Sequence, residues 1–406
     1  MRTRARLLAF AAAAAAGALS VAPARAETHD SSTITLGWMT ENADAVVLGR
    51  AADERRLDAR GDRRELDLLV DESVRGAVAA GTTVVIVYEG HGEAMPWKAA
   101  GGTHLAFLKA VPVPSGAPPR WVPISGAFAV KPIPTVGPES RFPAEVRTLA
   151  SLLGAEGAVA KPDLLREHLV AGMEDADPGF AWSAAVDFVR HAGLHAGLTA
   201  EQGARITGAF RRQPVGKATK EALALAVACT ADPSATRALV DALDDPRARL
   251  VRIAVGEALR RRRDPAAPKL LLAALPDAGP AKRADLLRVL GLVGAVEAGP
   301  AARERLADPV PEVRTEAAQA LGLLARAARE ADPTARVGGR AELEKLAAAE
   351  GAGVNEARAA LWALAQLDDQ EAWTALRRIA AGDPREAVRR DAERFLRAPR
   401  QSLILE

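Results

Sequence analysis

Apolar positions along the chain follow two different periods, and the change falls near residue 145. From Ser32 to Phe142 they come in short runs bounded by Gly and Pro: 44–49, 64–70, 83–88, 103–108, 120–124 and 127–130. Within the second run Leu66, Leu68 and Val70 alternate with charged or neutral neighbours, the pattern of a half-buried strand. Short strands at this density predict a small β-barrel or sandwich over residues 32–142. Prolines crowd its second half, from Pro112 to Pro143, and favour turns, edge strands and an extended exit.

Beyond Ala144 the strands give way to Ala/Leu-rich helical segments. Residues 145–230 are helical but aperiodic, read as diverged or capping repeats, whereas 231–400 repeat visibly. Val251-Arg-Ile-Ala-Val-Gly-Glu-Ala-Leu259, Lys282-Arg-Ala-Asp-Leu-Leu-Arg-Val-Leu290 and Val313-Arg-Thr-Glu-Ala-Ala-Gln-Ala-Leu321 align without gaps at a spacing of 31. The frame returns at Val388–Leu396, and at Gly353–Leu361 after an insertion around Ala331–Arg340. Val313, Ala317, Ala320, Leu321 and Leu324 form one helical stripe. Second helices are expected at 235–243, 267–275, 301–307, 341–349 and 372–380. A pair of such helices buries its apolar faces only by stacking on its neighbours, so the pattern predicts an α-helical solenoid. Asp-Pro pairs at Asp232, Asp245, Asp308 and Asp383 are expected to open helices, Asp as cap and Pro in the first turn.

The run Asp-Pro-Val-Pro-Glu-Val-Arg-Thr-Glu-Ala-Ala-Gln-Ala-Leu-Gly-Leu-Leu at 308–324 resembles the short HEAT repeats of the type named for phycobilisome lyases. That resemblance implies a HEAT-like solenoid and, for most members, a scaffolding role; some assist bilin attachment. Ala-Asp-Ala-Val-Val-Leu-Gly-Arg at 43–50, Val-Asp-Glu-Ser-Val-Arg-Gly at 70–76 and Gly-Thr-His-Leu-Ala-Phe-Leu at 102–108 look like the OB-like β-domains of secreted bacterial proteins. Those domains are similar in shape to the inhibitory domain of tissue metalloproteinase inhibitors. The N-terminal cysteines of those inhibitors are missing here, so protease inhibition is not implied.

Charge and targeting signals then set the address. Lys and Arg number 54 against 52 Asp and Glu, but residues 1–26 hold Arg2, Arg4, Arg6 and Arg25 and no carboxylate. Without them the balance is 50 − 52 = −2. Neither that charge nor an aromatic content of 4% suits a nucleic-acid binder. The basic start, the apolar stretch Leu7–Ala22 and the site Ala24-Arg25-Ala26 have the layout of a cleaved signal peptide over 1–26. An uncleaved anchor is the competing reading of that stretch. The expectation is an exported protein, periplasmic or extracellular, with no stable membrane insertion after cleavage. The single cysteine, Cys229, reads as a thiol buried in a helix.

Candidate chemistry is sparse. His191 and His195 stand four residues apart and would share a helix face suited to a metal, with His168 or Asp187 as third ligand. His91-Gly-Glu93 follows a strand in a Gly-rich loop; Val215-Gly-Lys217 lacks the glycine spacing of a phosphate loop. Arg260–Arg263 would complement the negative pole of a helix, and Arg252, Arg314 and Arg389, at one frame position, would form an inter-repeat ladder with aspartates. Lys269, Arg303, Arg377 and Arg378, on second helices, are the candidate binding residues of a concave wall. The function expected is a protein-interaction scaffold with no catalytic residues and no cofactor, its partner a protein. The alternative is a metal-dependent or other envelope enzyme with its site at the domain junction.

Overall fold

The computed structural model describes residues 34–57, 63–89, 102–113, 119–127, 129–154, 159–214, 218–245 and 247–398. The 1–26 segment, His91, Glu93 and the 215–217 stretch lie outside them. The chain forms two compact units, Met1–Lys161 and Pro162–Glu406.

The first unit opens with helix α1 (Leu36–Asn42), whose cap Thr35 accepts from the Trp38 amide at 2.9 Å. Six strands follow: β1 (Ala45–Arg56), β2 (Arg63–Arg75), β3 (Thr83–Glu89), β4 (Thr103–Val111), β5 (Arg120–Ala127) and β6 (Val130–Pro132). All belong to one sheet of order β1-β2-β3-β5-β4-β6, with a further β1–β4 pairing. The expected barrel or sandwich is therefore a single curled sheet. β1 pairs with β2 on one side and β4 on the other, and register shifts near Val46, Leu48 and Ala51 bend it. Gly49 makes the bend feasible, since a Cβ there would meet the Leu69 carbonyl at 2.4 Å. The seam between β3 and β5 is parallel and holds only Val85–Arg120 and Ile86–Trp121, so closure is incomplete. Pro123 within β5, facing Leu108 of β4, removes one ladder donor. Val47, Leu66, Leu68, Val70, Ile86, Ala106 and Leu108 are among the residues filling the curl. Helix α2 (Phe142–Leu152) completes the unit and carries Arg147, a bidentate partner of Glu72 at 2.7 and 2.6 Å.

The second unit is helical throughout its described residues. Its helices are α3 (Pro162–Met173), α4 (Pro178–Arg190), α5 (Ala200–Arg212), α6 (Ala218–Ala228), α7 (Ala235–Asp241), α8 (Arg252–Arg262), α9 (Ala266–Ala274), α10 (Pro280–Val293), α11 (Gly299–Glu304), α12 (Pro311–Ala331), α13 (Arg340–Ala348), α14 (Val354–Leu367), α15 (Gln370–Gly382) and α16 (Glu386–Arg397). They stack in two layers as a helical solenoid. The first helices α4, α6, α8, α10, α12, α14 and α16 pack on one another in sequence, while the second helices α3, α5, α7 and α9, and later α13 and α15, touch their own layer less. The aperiodic stretch from residue 162 already follows this alternation.

Small residues set the close spacing of the first layer. A Cβ on Gly291 of α10 would lie 2.9 Å from the Ala320 Cα of α12, and one on Gly322 would strike the Trp362 ring of α14 at 2.4 Å. Val313, Ala317, Ala320, Leu321 and Leu324 are fully buried, as their stripe required. The Asp-Pro pairs act differently from the expectation. Asp308 Oδ1 accepts from the Val310 amide at 3.0 Å and Asp383 Oδ1 from the Arg385 amide at 2.9 Å, while α12 and α16 begin only at Pro311 and Glu386. Each Asp thus closes an Asx turn ahead of the helix, with Pro inside the turn.

Candidate interaction surface

The first layer carries a run of charges that cross from repeat to repeat. Arg252 of α8 donates to Asp285 of α10 and to Glu316 of α12, both at 2.8 Å, and all three residues are buried. Arg314 of α12 reaches Glu356 of α14 at 2.7 Å, and Arg358 of α14 reaches Asp391 of α16 at 2.8 Å. In the aligned frame the carboxylates Asp285, Glu316 and Asp391 share one position, three residues after the frame's start. That periodic acid was legible in the sequence beside the arginines. Arg389 departs from the expected ladder: its guanidinium donates to the Asp383 and Pro384 carbonyls of its own repeat, at 2.6 and 3.2 Å. Arg314 makes the equivalent bonds to Asp308 and Pro309, at 2.7 and 3.0 Å.

A single arginine thus bonds acids one and two repeats away. Arg249 makes a similar reach on the surface, meeting Glu312 at 2.7 Å. The first helices are the more closely packed layer. Burial pushes the Asp285 and Glu316 carboxyls upward against the pull of Arg252, the outcome expected where desolvation outweighs pairing.

The candidate binding residues Lys269, Arg303, Arg377 and Arg378 lie on the second helices α9, α11 and α15. Lys269 on α9 and Arg377 on α15 are exposed and have no carboxylate partner among the described residues. Arg378 is paired with Glu344 of α13. Arg303 of α11 is half-buried, its methylenes over Gly339 and its Nη1 near Gly338.

The two histidines do not share a helix face. α4 ends at Arg190, His191 is its C-cap, and His195 sits in a 3-10 stretch, Ala192–Gly197. His191 Nδ1 lies 2.8 Å from the Asp187 carbonyl and His195 Nε2 lies 3.0 Å from that of Phe188, so both rings turn back on α4. Among the described residues no three His, Cys, Asp or Glu side chains gather as metal ligands, and no helix is long and apolar enough to cross a membrane. The basic run is divided in use: Arg260 and Arg261 pair with Glu257, whereas Arg262 turns inward to the carbonyls of Val227 in the last turn of α6 and of Thr230 and Asp232 just after it.

Two buried titratable groups escaped the sequence reading. Lys220 of α6 donates to the Phe210 carbonyl and stands 3.9 Å over that residue's ring, and burial lowers its pKa to about 8. His104 of β4 is enclosed, and burial holds its pKa below the ordinary value. Nothing in a lone Lys or His marks burial before the fold is known.

No protein-family model and no curated protein matches the chain. Several solved structures show detectable likeness to the chain. The complex of CpcE and CpcF of phycocyanin lyase from Nostoc is 19% identical, with 58% of this chain and 94% of that chain covered at a TM-score of 0.30. Human deoxyhypusine hydroxylase is 20% identical, with 58% and 96% covered at 0.24. A designed armadillo repeat protein in complex with the peptide (KR)4 is 18% identical, with 58% and 98% covered at 0.33. These scores are low, and the assignment of a helical repeat array rests on the chain's own helices and their two-layer stacking.

Proposed function

We propose that the chain is an exported, non-enzymatic scaffold that holds a protein partner on the second-helix layer of its helical array. The observation that carries this reading is the presence of exposed cations on that layer that the fold does not neutralise. Arg252 on a first helix is neutralised across repeats by Asp285 and Glu316, while Lys269 and Arg377 on second helices face solvent without a carboxylate partner among the described residues. Exposed, unneutralised cations on second helices favour a partner with an acidic face. Export is supported by the layout of residues 1–26. OB-like kinship for the first unit is supported by the strand order, in which β1 neighbours both β2 and β4 and β3 meets β5 in parallel.

The test is affinity capture from a cell-envelope extract with the purified chain 27–406 as bait, with metal content assayed in the same sample. A protein retained reproducibly by the bait and released by salt is the expected result. A stoichiometric metal with no retained protein would replace this reading with the enzymatic one.

A further inference from the structure

We draw no further inference here: the strongest candidate, the imidazole of His104 buried on β4 of the curled sheet, rests only on the lowered pKa that burial imposes, with no charged side chain acting on it to show what its protonation would move.

Discussion

Lys220 shows how a single side chain couples burial to pH. Its ammonium is enclosed at 4% exposure, bonded to the Phe210 carbonyl and stacked on the Phe210 ring, with Asp245 the charge that partly offsets its desolvation. The folded pKa of about 8 lies below the ordinary 10.5, so between those values the unfolded chain binds more protons than the folded one. Stability must then rise as pH climbs through this window, and the cost of the buried charge is present in full below about 8. By linkage the rise amounts to about 2 to 3 kcal/mol. Denaturant midpoints measured at pH 7.5 and pH 10 should show the native chain gaining on Lys220→Met across the interval; parallel shifts in both proteins would refute it. His104 works in the same sense at lower pH: its depressed pKa makes the first unit lose stability as pH falls below the ordinary histidine value.

At the scale of elements, the cross-repeat ions bind neighbouring helices in a definite order. Removing Arg252 would leave Asp285 and Glu316 buried without their shared cation, a change that costs about 3 to 5 kcal/mol. Arg252→Met should lower the unfolding free energy by that amount, and Arg252→Met combined with Glu316→Gln should recover part of it. A double variant no more stable than the single one would show that the three residues are not coupled. How much of this was legible beforehand differs by element. The frame of the first helices was readable because every repeat must place small and apolar residues at the same contacts, so Ala317 and Leu321 recur in kind. The strands were read as short because their apolar runs are short; β1 in fact extends through Asp53 to Arg56, where cross-strand hydrogen bonds continue past the buried face. The Asp-Pro pairs were misjudged because an aspartate can bond an amide two residues on in a turn as readily as one in a helix. The His191–His195 face failed because α4 stops at Arg190, and Gly193 was the one local sign of it. Which acids Arg252 meets was not legible at all, since it depends on how the helices of three repeats stack.

For the whole molecule, the account joins an address to a surface. If residues 1–26 are a signal peptide, the protein recovered from the cell envelope begins at Glu27, which N-terminal sequencing would read directly; an intact Met1 would contradict export by cleavage. The surface is the stronger commitment, because it assigns recognition to Lys269 and Arg377, exposed on second helices with no carboxylate partner among the described residues. The most direct test is the affinity of the captured partner for the native chain and for Lys269→Glu combined with Arg377→Glu, measured across a range of salt concentrations. The account predicts at least about tenfold weaker binding in the double variant and an affinity in the native chain that falls with salt. Equal affinity of the two proteins at every salt concentration would contradict it.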